Sequence, residues 1–136
     1  MKFHRILTGV ALIAAIGSAP LAALSQDVSL GDIKRTPLMK EELSIPGREV
    51  VQVRVDFPQG AFAVRHSHPG EELVYVIEGV LEYRLDGRPP VNVKAGDVLL
   101  IPYGTPHAVK NVGSGGAAEL ATYIVETGKP LLVPGK

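Results

Sequence analysis

The chain has no cysteine and no tryptophan, and aromatic residues make up only 5% of its 136 positions. Without cysteine there are no disulfides, thiolate zinc sites, iron–sulfur clusters or cysteine nucleophile, so any bound metal is held by nitrogen and oxygen. A charge excess is absent too, because 14 basic residues balance 14 acidic ones. Binding to a phosphate backbone needs a cationic surface, and this composition argues against nucleic acid as a partner. Long apolar runs are also missing. The longest, Ile6 to Gly17, is too short for a membrane span, which takes about 20 residues to cross about 30 Å of hydrocarbon.

That run lies between a basic start, Lys2 and Arg5, and a stretch rich in small residues, Ser18 to Ser25. The three-part pattern is that of a secretory signal peptide. Cleavage is expected after Ser25, with Ala23 at the −3 position, and after Ala23 as the alternative. No twin arginine is present, so the pattern points to general secretion and a periplasmic or secreted location. Removing residues 1–25 leaves twelve basic and fourteen acidic residues, a net charge of −2 with His neutral, and three histidines. No membrane association is expected of this remainder.

Residues 26–48, with Pro37, Pro46 and Gly47, read as an extended N-terminal arm in which only Leu38 to Leu43 is compatible with a helix. From Glu49 the apolar period becomes two: Val51, Val53 and Val55 alternate with Gln52, Arg54 and Asp56, as in a half-buried strand. Similar runs follow at 62–68, 72–77, 80–85, 91–94, 98–101, 106–112 and 118–125. They are separated by turn residues such as Asp86-Gly87 and Ala95-Gly96-Asp97. About eight short strands with Gly and Pro turns indicate an all-β barrel or jelly roll spanning 49–128, followed by a tail at 129–136.

Residues two apart on a strand share a face, so His66 and His68 can converge on one point. After the turn at Pro69-Gly70, Glu71 or Glu72 can bring a carboxylate to the same point from the next strand. His107 begins another strand. These three imidazoles are the only ones left after leader removal, and imidazole with carboxylate suits several transition metals. With every histidine so used, a Ser-His-Asp triad has no base. Arg54, Arg65, Tyr75, Tyr83 and Tyr123 are weaker pocket candidates, because alternation alone does not settle which way they face.

The spacing resembles the two motifs of the cupin superfamily, and small single-domain bacterial cupins of the quercetin-dioxygenase-like group in particular. Gly60-x5-His66-x-His68-x3-Glu72-x6-Gly79 is similar to the first motif, and Gly96-x5-Pro102-x-Gly104-x2-His107-x3-Asn111 to the second, with residues 80–95 between them. The resemblance implies a double-stranded β-helix, a cupin jelly-roll barrel, holding one divalent transition metal ion on His66, His68, Glu72 and His107. It selects Glu72 over Glu71, makes Gly60, Gly79, Gly96 and Gly104 turn residues, and gives Pro102 and Asn111 loop-shaping roles. It also implies a homodimer in which the arm adds to the other subunit's sheet.

Three nitrogens and one oxygen leave two positions open on an octahedral ion, as a catalytic site requires. The expected function is that of a metal-dependent, dioxygenase-like oxidoreductase acting on a small enolisable or phenolic compound, with Glu72 also able to accept a proton. A metal-dependent isomerase, decarboxylase or lyase and a non-catalytic small-ligand or metal binding protein are the alternatives. Cu, Zn, Fe, Mn, Ni and Co all suit the ligand set, but folding outside the cytosol favours copper or zinc. Elemental analysis of protein purified from the periplasm is therefore expected to find one of these two, whereas dominant manganese or iron would refute the argument.

Overall fold

The computed structural model describes residues 30–135. The expected signal peptide lies outside them. Ten strands are present among the described residues: β1 (Lys34–Glu42), β2 (Arg48–Phe57), β3 (Phe62–Ser67), β4 (Gly70–Glu78), β5 (Val80–Leu85), β6 (Val91–Lys94), β7 (Val98–Ile101), β8 (His107–Asn111), β9 (Ala117–Glu126) and β10 (Val133–Pro134). They form two antiparallel five-stranded sheets, ordered β1-β2-β9-β4-β7 and β10-β3-β8-β5-β6. No helix among the described residues is long and apolar enough to cross a membrane.

The all-β jelly roll expected from the sequence is thus observed, and alternation explains where the core sits. On β2, Val53, Val55 and Phe57 are buried while Gln52, Arg54 and Asp56 are more exposed. On β9, Ala121, Tyr123 and Val125 have the same inward phase. The inner faces meet around Val74, Val76, Leu81, Tyr83 and Ile101. Fully burying such a side chain stabilises the fold by about 1.5–3 kcal/mol.

Two strands lie in segments that the sequence assigned to arm and tail. Lys34–Glu42 pairs along β2 of its own chain, including the stretch read as helix-compatible. A ladder with a neighbouring strand outweighs weak local propensity. The register shifts between Pro37 and Met39; proline lacks the N–H a ladder needs and is tolerated on an edge strand at a bulge. At the other end Val133 and Pro134 pair with Ser67 and His66 of β3.

The chain passes repeatedly from one sheet to the other, and tight backbone approaches make this possible. Gly60, Gly79, Gly96 and Gly104 all have positive φ, as the motif resemblance implied. At Gly79, between β4 and β5, a Cβ would stand 2.6 Å from Ala117 Cβ and 2.8 Å from the Gly116 carbonyl oxygen. Asn111 ties down the loop before β9: its Nδ2 donates to the carbonyls of Phe57 (3.0 Å), Pro58 (3.1 Å) and Gly115 (2.8 Å), and its Oδ1 accepts from Gly113 N–H (2.9 Å). This is the loop-shaping role that resemblance gave it.

Gly87 also has positive φ, but nothing lies within 4 Å of the site of its Cβ. Gly79→Ala is expected to cost about 3 kcal/mol, through strain plus clash, and Gly87→Ala about 1 kcal/mol, through strain alone. Denaturant midpoints check this; equal losses would contradict it.

Candidate metal centre

His66 and His107 are direct cross-strand partners on β3 and β8. A register shift between Ala63 and His66 lets Val64 and Arg65 both face outward and turns His66 inward. His68 follows the end of β3, in the turn that carries the chain to the opposite sheet, where Glu72 on β4 lies between Ile101 and Tyr123. All four side chains are buried, at 1–4% exposure. Glu71 points to the other face of β4, paired with Ile124.

One ligand atom from each of His66, His68 and His107 lies within 4.8 Å of the others. Glu72 Oε2 is 3.0 Å from His68 Nε2 and 3.3 Å from His107 Nε2. The other nitrogen of every ring faces a backbone carbonyl: His66 Nδ1 and Val64 O at 2.7 Å, His68 Nδ1 and Leu131 O at 2.7 Å, His107 Nδ1 and Thr105 O at 2.9 Å. A carbonyl only accepts, so each Nδ1 carries the hydrogen and each Nε2 of a neutral ring presents a lone pair. Burial, followed by the charge of His107, lowers the His66 pKa to about 4 and keeps this ring neutral at pH 7.

Lone pairs therefore face a carboxylate oxygen inside the barrel. His68 Nε2 and Glu72 Oε2 are both fully buried and neither has a hydrogen-bond partner of acceptable geometry. Two acceptors 3.0 Å apart repel unless a cation lies between them, which is what a metal supplies. Burial works against the Glu72 carboxylate, and only with positive charge on His107 and His68, or a cation between them and the carboxylate, is the group held below the usual carboxylate range. The residues present fit a transition-metal ion.

Around this cluster is a narrow cavity of about 10 Å³, lined among others by Leu30, Ile33, Arg35, Ala63, Glu119 and Tyr123. It holds about one water. The Tyr123 ring centre is 4.6 Å from that of His68. Tyr83, from the opposite sheet, donates to Glu119 Oε2. Burial, then the charge of Glu72, pushes the Glu119 pKa up to about 8. A larger concavity, about 340 Å³, lies on the outside of the second sheet among Phe62, Glu82, Arg84 and Lys110. It has no convergent ligand atoms, so chemistry and not size locates the centre.

Of the weaker sequence candidates, Tyr83 and Tyr123 point inward. Tyr75 is exposed, Arg54 pairs with Asp56 and Arg65 with Asp86. Sequence reasoning missed Arg35 and Glu119. Glu119 shares the alternation phase of Tyr123 and Val125, a signal that could have revealed it. Arg35 had none, because its strand register depends on pairing with β2.

Fold, glycine turns and the histidine cluster together define a cupin. The cupin domain family matches residues 53–132, and the chain belongs to it. Dimethylsulfoniopropionate lyase DddQ of Ruegeria pomeroyi is 36% identical over 56 residues, which are 41% of this chain and 28% of the lyase, so the match spans under a third of that protein. The oxalate-binding protein of Thermotoga maritima is 28% identical over 70% of this chain and 78% of its own length. In fold, the chain resembles an uncharacterized protein with a double-stranded β-helix domain from Klebsiella pneumoniae, with a TM-score of 0.63 at 22% identity over 79% of this chain and 90% of that one.

Glu119 yields a pH prediction. Its proton is lost near 4.5 in the ordinary state and near 8 when folded, so the unfolded state binds fewer protons between these values and stability falls as pH rises through that window. The penalty is absent below it and complete above it. In metal-free protein, the stability gain of Glu119→Gln over wild type is expected to grow from pH 5 to pH 8 and then level off. Parallel pH–stability curves would contradict the assignment.

Proposed function

We propose that the chain is a mononuclear metal-dependent enzyme of the oxygenase type, acting on a small enolisable or phenolic compound outside the cytosol. The observation that carries the reading is the cluster of three carbonyl-oriented imidazoles, two of which, His68 and His107, meet the orphaned Glu72 Oε2. His66, His68 and His107 would hold the ion through Nε2, with Glu72 as the oxygen ligand. When bound, such an ion supplies Lewis acidity toward an enol or phenol oxygen and toward dioxygen. Glu72 stands beside that position and can accept the proton an enolisable substrate releases. Val55, Phe57 and Val109 contribute apolar surface to the wall of the cavity. The leader pattern of residues 1–25 supports export.

A second reading, a non-catalytic binding protein, is favoured by the cavity's small volume and by the likeness to an oxalate-binding protein. For catalysis on anything larger than a water, the roof formed by Leu30, Ile33 and Arg35 has to give way.

His66→Ala, His107→Ala and Glu72→Gln are each expected to weaken metal binding on the order of 100-fold while the barrel still folds. Metal content after dialysis and circular dichroism check this. Wild-type protein loaded with its native metal should consume oxygen on addition of a flavonol, catechol or β-diketone. Metal retention without oxygen uptake selects the binding reading, and retention of metal by all three variants overturns both.

A further inference from the structure

Arg35 introduces a positive charge into the wall of the cavity, and among the described residues no acid balances it by contact. It pairs with Val55 on β2, a residue that is 2% exposed and faces the interior. Cross-strand partners lie on the same side of a sheet, so Arg35 is on the inner face. It lines the same cavity as His66, Glu72 and His107. Its Cζ is 5.8 Å from the centre of the Tyr123 ring, and its Nη2 donates to Tyr123 Oη over a long 3.4 Å.

No carboxylate of the described residues lies within 4 Å of this guanidinium. Three of the outward-facing arginines differ: Arg54 holds Asp56, Arg65 holds Asp86 and Arg84 holds Glu82; what sets Arg35 apart from the remaining ones is that it lines this cavity. Glu119, the acid in the neighbouring part of the cavity, is engaged by Tyr83 from the other sheet. Arg35 therefore keeps donors free in a planar fork that matches a carboxylate in two-point geometry. Its distance from the histidine cluster is spanned by one aromatic ring, Tyr123, which contacts both sides.

We propose that Arg35 is a specificity-determining residue that reads a carboxylate on the substrate, so that the centre acts on a small organic acid rather than on a neutral polyphenol. The inference rests on the metal reading above and narrows its substrate class. Once the lining opens to admit it, an acid with a hydroxyl or oxo oxygen near its carboxylate would offer that oxygen to the ligand cluster and the carboxylate to Arg35, which lines the same cavity.

The test is equilibrium binding of glycolate, lactate and pyruvate, each beside its primary amide, to metal-loaded wild type, Arg35→Gln and Arg35→Lys, with metal content measured on every sample. Wild type is expected to bind at least one acid more tightly than its amide. Arg35→Gln should weaken that acid on the order of 10–100-fold, leave the amide unchanged, and keep full metal content. Arg35→Lys, which keeps the charge and loses the fork, should fall between the two, and decides the matter if the glutamine variant does not fold. Equal weakening of acid and amide, or no preference for any acid in the wild type, overturns the proposal. Full metal occupancy with such a result sinks the carboxylate reading alone, whereas a wild type that takes up no metal sinks the function it rests on.

Discussion

Three backbone carbonyls aim the chemistry of this barrel. Val64, Leu131 and Thr105 each accept from the Nδ1 of one histidine, and this fixes both the tautomer and the direction of the remaining lone pair. Without that constraint, the three rings would be buried histidines with interchangeable nitrogens. With it, they form an electron-rich funnel aimed at Glu72. A buried lone pair facing a buried carboxylate is costly unless a cation joins them, so the scaffold carries this arrangement at the expense of its own metal-free stability.

The two sheets divide the labour. The second sheet supplies His66 and His107 as cross-strand partners, and the first supplies Glu72, Tyr123, Glu119 and Arg35. The chain between His68 and Glu72 crosses from one sheet to the other, so a short motif can surround an ion from both sides. The segments outside the central barrel belong to the centre as well. Leu131, from the C-terminal segment, orients His68; Leu30, Ile33 and Arg35, from the N-terminal one, close the cavity. Short side chains at Ala63 and Ala121 leave the interior room for polar groups that larger residues would displace.

Much of this was legible in the sequence, for reasons that are local. Alternation marked the inward phase of β2, and the Gly and Pro turns divided the central strands because their residue types answer to φ alone. His66, His68 and His107 stood out because no other histidine follows the leader region. What escaped was information carried only by register. The strand at Lys34–Glu42 lies in a segment read as an extended arm, helix-compatible only from Leu38 to Leu43, and its register exists because β2 offers it a ladder, so Arg35 could not be placed on an inner face beforehand. The carbonyl partner of His68 is 63 residues away, and no spacing rule reveals it. Glu119 shares the phase of Tyr123 and Val125, but its partner Tyr83 comes across from the other sheet, and that pairing no local pattern reveals.

X-ray absorption spectroscopy at the edge of the bound metal tests the central claim most directly. The account predicts one ion per chain, with a first shell of nitrogen and oxygen and the multiple-scattering signature of three imidazoles. A first shell with no imidazole, or with a single one, would show that the carbonyl-aimed rings do not serve a shared cation, and would contradict the account at its centre.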